Sequence, residues 1–229
     1  MIDIHTHILP CVDDGSGNLR DSLEMLKNHE KIGVTDVFLT PHLRVKYNLD
    51  EQSIKNAFDD FCKEVKKQGI NVNLYLGQEI YLSSENQHLQ SAQQIITLND
   101  SKYVLIEFDF SEPTDIVETV YEANRLGYKP IVAHFERYLY ATLEMAEQIK
   151  DNGGFIQVNA HSVTGENKTG KKLTKKLLKL GLVDFVASDI HFARTNRLRE
   201  ARDIVEKKYG KDYAKDLFYN NAKKIIDKD

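Results

Sequence analysis

The chain has 229 residues, enough for one barrel-sized domain and long enough to bury most of its apolar surface. Its formal charge of −4 comes from 31 basic and 35 acidic residues scattered through the same stretches, which excludes a nucleic-acid or membrane-surface footprint. Two cysteines, Cys11 and Cys62, exclude a secreted disulfide framework, no stretch approaches the roughly 20 apolar residues of a membrane span, and Asp3 and His5 interrupt the apolar run that a signal peptide would need.

The expectation is a soluble, cytoplasmic protein forming one domain over residues 1–229. In chain order, the apolar runs that read as strands are Ile2–His5, Asp36–Thr40, Val72–Gly77, Tyr103–Phe108, Pro130–Ala133, Phe155–Val158 and Val183–Ala187. Between them lie "RDSLEMLKNHEKIG", "EQSIKNAFDDFCKEVKKQG", "TDIVETVYEANRLG" and "KKLTKKLLKLG", followed at the end by "RLREARDIVEKKYG". In each, apolar residues return at three- and four-residue intervals and a glycine closes the segment, the pattern of an amphipathic helix. Strand and helix alternate from end to end, which predicts a parallel sheet with crossover helices. Seven such units without a linker predict a closed or nearly closed (β/α) barrel. The stretch Leu82–Ser101 is the least regular and reads as an excursion over the barrel rim.

A barrel carries its chemistry at the C-terminal ends of its strands. Strand one ends in His5 and His7, ahead of Asp13 and Asp14 in a "DDG" turn. Strand two runs into His42, strand three into Glu79, and strand four contains Glu107 within "VLIEF". Strand five delivers His134, and strand seven finishes with Asp189 and His191. Singly, each has an ordinary explanation, such as a hydrogen-bonded surface histidine or a turn aspartate. Together, six of seven strands put a His, Asp or Glu at the same end, and five of the eight histidines gather there. Glu107 would also be buried, and so needs a cation or a full set of donors.

Histidine and carboxylate ligands without cysteine suit Zn, Mn or Fe. His5, His7, Asp14, His42, Glu79, Glu107, His134, Asp189 and His191 make nine candidate ligands, more than one ion uses, so two or three ions are expected, with Glu107 as a bridging carboxylate. Clustered divalent ions serve hydrolysis, and a phosphate ester uses such a clamp best. Its oxygens call for arginine: Arg137 lies three residues after His134, and Arg194 and Arg197 follow His191.

These residues look familiar. "DIHTHILPCVDDG", "TPH", "GQEIY", "VLIEF", "AHFERY" and "ASDIH" resemble the PHP (polymerase and histidinol phosphatase) superfamily, and within it the bacterial manganese-dependent protein tyrosine phosphatases of capsule and exopolysaccharide operons. The similarity runs from residue 2 to about residue 226. It implies a distorted seven-stranded (β/α) barrel and a Mn-type centre on the nine residues above, with Fe, Zn or Mg as alternatives. It also implies hydrolysis of phosphotyrosine on the tail of a cognate tyrosine kinase that controls polysaccharide export. On this resemblance a metal-bound hydroxide attacks phosphorus in line with the tyrosyl oxygen, Arg137 holds the phosphate, and Asp189 or a nearby histidine moves the proton. A second phosphate-binding arginine is expected five residues after the last ligand histidine, but Asn196 stands there, and a one-residue shift assigns the role to Arg197. Ala222 likewise replaces a usual proline.

Other signals are set aside. Cysteine chemistry is absent, because the residue six beyond Cys11 is Gly17 and beyond Cys62 is Gln68, where a Cys-x5-Arg loop needs arginine. "GENKTGKKLT" approaches a phosphate-binding loop, but Lys172 replaces the required Ser or Thr and no strand directly precedes it. The basic run Lys171–Lys179 reads as an amphipathic helix with a wet side. Three rivals remain: a small-molecule phosphatase of the histidinol phosphate type, an amidohydrolase, and a catalytically silent metal-binding regulator. Mostly short βα loops favour an open site for an extended peptide over the first, and Glu107 stands where a carboxylated lysine would mark the second.

Overall fold

A computed structural model describes residues 1–43, 47, 50–83 and 95–229. The strands are β1 (Ile2–Asp3), β2 (Asp36–Leu39), β3 (His42–Leu43), β4 (Asn73–Leu76), β5 (Glu79–Leu82), β6 (Tyr103–Phe108), β7 (Lys129–Val132), β8 (Phe155–Asn159) and β9 (Phe185–Ala187). They form two parallel sheets, β1-β2-β4 and the curled half-barrel β3-β5-β6-β7-β8-β9. The helices are α1 (Leu19–Lys31), α2 (Glu51–Lys67), α3 (Ile116–Arg125), α4 (Leu143–Asp151), α5 (Ala160–Thr164), α6 (Lys171–Leu180) and α7 (Leu198–Tyr209). α8 (Lys211–Lys215) and α9 (Asn221–Asp227) close the chain, joined by a π turn at Asp216–Asn220.

The alternation of strand and crossover helix is as expected, but the expected second and third strands, Asp36–Thr40 and Val72–Gly77, are each followed by a further short strand, β3 and β5, that was not expected. Pro41, which has no N–H to give to a ladder, separates β2 from β3, and Gly77–Gln78 separates β4 from β5. The two breaks face one another, since Leu39 pairs with Leu76 below them and His42 with Glu79 above. Beyond β1, Thr6 bridges Ile190, the N–H of Asp189 donates to the His5 carbonyl, and the N–H of His7 donates to the Ile190 carbonyl. These bonds tie the first strand's exit to the last strand's exit. Of the expected rim excursion, residues 84–94 lie outside the described residues.

Local chemistry supports these elements. All six residues of β6 are buried, as a parallel strand covered on both faces requires. Asn18, Asp50, Asp115 and Thr142 cap α1, α2, α3 and α4 with side-chain oxygens that accept first-turn N–H groups. α6 ends at Gly181, whose φ of 70° would strain a residue with a Cβ. No helix among the described residues is long and apolar enough to cross a membrane.

Side-chain parity positions the site. Val104, Ile106 and Phe108 face the helices in the larger apolar cluster, whereas Tyr103 and Leu105 join Phe155, Phe185, Ile131 and Ala187 in a smaller one. Ala222 and Ile225 of α9 pack into that smaller cluster and close the lower end of the strands. With a period of two, the next residues on the inner face are Glu107 of β6 and, on β8, Gln157 and Asn159. The interior is therefore apolar below and polar above.

Candidate metal centre

Glu79, at the start of β5, is the middle of the cluster. Its Oε1 lies 2.9 Å from His134 Nε2 and 3.2 Å from His5 Nε2, and its Oε2 lies 2.8 Å from His42 Nδ1 and 3.2 Å from His7 Nε2. Glu107 stands further out, 3.6 Å from both His42 and His134. The central carboxylate is therefore Glu79, where the sequence reading put Glu107. Asp189 brings Oδ1 within 3.7 Å of His5 and 3.5 Å of His7. Asp14, half-exposed at the mouth, lies 3.5 Å from His42 Nε2 and 3.6 Å from His191 Nε2.

All nine candidate residues thus converge, in four overlapping sets whose donor atoms lie within 4.8 Å of one another: His7, Asp14, His42 and His191; His5, Glu79 and His134; His5, His7 and Asp189; His42, Glu79 and Glu107. The packing is not that of a satisfied polar core. His5 Nε2 and His7 Nε2 face each other at 3.2 Å, and His7 and His191 stack with centroids 4.3 Å apart. His42 Nδ1, Glu79 Oε2 and His134 Nδ1 are buried without a hydrogen-bond partner. Buried polar atoms left this way are costly, and a cation accepts lone pairs from both imidazole nitrogen and carboxylate oxygen.

The outer ring nitrogens show the pattern of ligating histidines. His7 Nδ1 donates to Asp13 Oδ2 at 2.7 Å, His5 Nδ1 to Gln157 Oε1 at 3.2 Å, and His191 Nδ1 to the Asp189 carbonyl at 3.2 Å. Each such bond fixes the tautomer with an Nε2 lone pair aimed into the cluster. Gln157 also accepts the N–H of His134 at 2.7 Å and donates to Asn159 at 2.8 Å, while Asn159 donates to Asp189 Oδ2 at 2.8 Å. Neither amide was foreseen from the sequence. The available signal was parity, since both share the inner face with Glu107. Asp13, which reads as a plain turn residue, caps Gly15 N–H and also holds His7.

Charge follows this geometry. Burial opposes ionisation of Glu79, but His5 and His42 outweigh it and hold the carboxyl well below its ordinary range. Burial likewise opposes Asp189, and His5, His134 and His7 overcome it, so its pKa is lowered. Burial alone would raise Asp13, yet His7 and the Gly15 N–H bring it down to about 2. Burial pushes His134 and His191 down to about 4, keeping both neutral with lone pairs free near pH 7. Backbone strain concentrates here too, with φ of 30° at His134 and 48° at Asp189, a region that residues with a Cβ adopt at a cost.

Two arginines border the cluster. Arg137 donates to Asp189 Oδ2 at 3.1 Å, with its guanidinium carbon 4.2 Å above the Phe110 ring. Arg194 donates to the Asp189 carbonyl at 3.2 Å. The contacts of Arg197 are instead with Glu166 and Glu200, whereas Arg194 is the arginine of this loop that reaches Asp189. The reason is local: Arg197 immediately precedes α7 and pairs with Glu200 on that helix and with Glu166, whereas Arg194 lies earlier in the loop after β9. Glu166 also binds His161 Nδ1 at 2.7 Å.

With this geometry in hand, comparison with known proteins is specific. The family described as capsular polysaccharide synthesis, CpsB/CapC, matches residues 1–227. Tyrosine-protein phosphatase CpsB of Streptococcus agalactiae is 34% identical, covering 99% of this chain and 98% of its own length. Tyrosine-protein phosphatase YwqE of Bacillus subtilis is 33% identical, covering 93% and 86%. A structure from the crystallographic description of YwqE from Bacillus subtilis and CpsB from Streptococcus pneumoniae, called unique metal-dependent tyrosine phosphatases, superposes with a TM-score of 0.85 at 31% identity, covering 93% of this chain and 90% of that one.

Proposed function

Because the chain belongs to the CpsB/CapC family over residues 1–227, we propose that it is a protein tyrosine phosphatase that works with bound divalent metal. The observation that carries this reading is Glu79, held within 2.8–3.2 Å of four imidazoles in a buried cluster. The nine residues His5, His7, Asp14, His42, Glu79, Glu107, His134, Asp189 and His191 would hold two or three ions, with Glu79 the carboxylate nearest to four of the imidazoles. A donor set of imidazole and carboxylate without thiolate suits Mn, with Fe, Zn or Mg also accommodated. When bound, such ions supply Lewis-acid charge and lower the pKa of water so that a hydroxide nucleophile is present near neutral pH.

The chain's own groups do the rest. Arg137, braced by Phe110 and Asp189, offers a forked donor to the phosphate, and Arg194 adds a second on the same edge. Asp189 is at hand for the proton, although a phenolate leaves with little help. Asp13, Gln157 and Asn159 orient the ligands and Asp189. The two sheets are read as one distorted seven-pass barrel and the chain as a single domain of residues 1–229. The relatives' names, tyrosine-protein phosphatase, and the family description, capsular polysaccharide synthesis, support phosphotyrosine as the substrate; the role proposed is action in the cytoplasm on the phosphotyrosine tail of a tyrosine kinase of capsule synthesis.

The test is turnover of a phosphotyrosine peptide, a phosphoserine peptide and histidinol phosphate by purified protein. Hydrolysis is expected to favour phosphotyrosine and to vanish with chelator. A preference for histidinol phosphate would replace the tyrosine assignment with the small-molecule reading.

A further inference from the structure

Several surface cations on this protein are paired with a carboxylate. Lys55, Lys63 and Lys67 on α2 each meet a carboxylate, as do Lys150, Lys223 and Arg202. α6 and its approach carry instead an unbroken run of lysines on one face. Lys168, Lys171, Lys172, Lys175, Lys176 and Lys179 fall between Glu166 and Asp184 with no acidic residue among them, and all six are exposed. Among the described residues none of them makes an ion pair. At 3.6 residues per turn the five lysines of α6 occupy an arc of about 140°. The opposite face, with Thr174, Leu177 and Leu178, is buried.

The stripe begins at the candidate centre. Gly170, just before α6, lies so close to Glu136 that a Cβ would stand 2.9 Å from the Glu136 carbonyl oxygen, and Glu136 adjoins Arg137. As the crossover between parallel β8 and β9, α6 then runs from the polar end of the strands back along the outside. From Lys171 to Lys179 it covers about 12 Å, the length of three or four extended residues.

We infer that this lysine stripe is a docking surface for an acidic stretch of the protein substrate, a few residues from the phosphotyrosine; the inference rests on the phosphatase reading for what occupies the adjoining centre. Charge complementarity selects the occupant. A helix that lies on a lipid surface keeps an apolar face for the bilayer, and the apolar face of α6 is spent in the core, with Leu180 its large exposed apolar side chain. An extended acidic peptide needs only the ammonium groups. Steering of this kind acts through long-range charge, so it raises encounter and affinity and weakens with salt.

The experiment compares the parent with the variant Lys172→Glu/Lys175→Glu/Lys179→Glu, both metal-loaded. Binding is measured by fluorescence anisotropy with peptides carrying phosphonomethyl-phenylalanine, a non-hydrolysable phosphotyrosine mimic, flanked either by Asp and Glu or by Asn and Gln. Turnover of p-nitrophenyl phosphate is followed in parallel. The parent is expected to bind the acidic peptide about tenfold more tightly than the neutral one, and the variant to lose that preference while p-nitrophenyl phosphate turnover stays unchanged. Equal affinity of the parent for both peptides, or a preference that survives in the variant, would overturn the inference. So would binding to phosphatidylglycerol vesicles that the variant loses without any change in peptide preference. Absent turnover of p-nitrophenyl phosphate with the peptide preference intact would sink the phosphatase reading and leave the docking surface standing.

Discussion

Gln157→Leu removes one buried amide that serves three neighbours. Its Oε1 accepts the His134 N–H at 2.7 Å and the His5 Nδ1–H at 3.2 Å, and its Nε2 donates to Asn159 at 2.8 Å. Leucine keeps the volume but leaves a buried backbone donor and a buried amide oxygen without partners, each costing about 1–3 kcal/mol. His5 can escape by exchanging tautomers, but then its Nε2–H points at Glu79 and His7, where a lone pair is needed. The predicted result therefore has two parts. Chelated protein loses about 2–6 kcal/mol, a fall in Tm of about 4–24 °C for a chain of this size, by differential scanning calorimetry. Metal affinity falls about 10–100-fold by competition with a fluorescent chelator. A variant with parental Tm and parental affinity would refute the idea that Gln157 orients the cluster.

Three further outcomes follow from the same geometry. Burial raises Glu136 to about 7 from 4.5, so the fold keeps a proton that the unfolded chain loses, and stability declines as pH rises through that window. Glu136→Gln keeps the acceptor for the Asn159 N–H and is expected to gain about 3 kcal/mol at pH 8 and nothing at pH 4; equal gains at both would contradict the assignment. Arg194→Ala is expected to raise KM for a phosphotyrosine peptide about tenfold, whereas Arg197→Ala changes it little, and steady-state kinetics showing the reverse order would restore Arg197 to the site. A Cβ at Gly15 would stand 2.0 Å from the His7 carbonyl oxygen, so Gly15→Ala must displace the loop carrying Asp13 and Asp14. It should cost about 1–3 kcal/mol in thermal unfolding and at least tenfold in metal affinity, and an unaffected variant would show that this crossing is loose.

What could be read from the chain was what residue type and period encode. Buried apolar runs alternating with capped amphipathic segments specify parallel strands and crossover helices, and a histidine or carboxylate at successive strand ends specifies where they meet. The short strands that resume after Pro41 and Gly77–Gln78 were harder, because two to four residues after a turn signal carry too little pattern to read as a strand. Glu79 and Glu107 are both carboxylates in apolar context, and only the pairing of His42 with Glu79 puts the former between four imidazoles. Gln157 shares the inner face with Glu107, and only that parity marks it as part of the cluster. The loop after β9 decides between Arg194 and Arg197 through the start of α7, which composition does not encode.

The central claim is that these nine side chains hold divalent ions on which phosphotyrosine hydrolysis depends. Its most direct measurement is a titration of chelator-stripped protein with Mn, recording bound metal and turnover of a phosphotyrosine peptide on the same samples. The account predicts two or three ions per chain, no turnover in the stripped protein and recovery that tracks occupancy, with both lost in Glu79→Ala. Full turnover without metal, or saturation at less than one ion per chain with full activity, would contradict it.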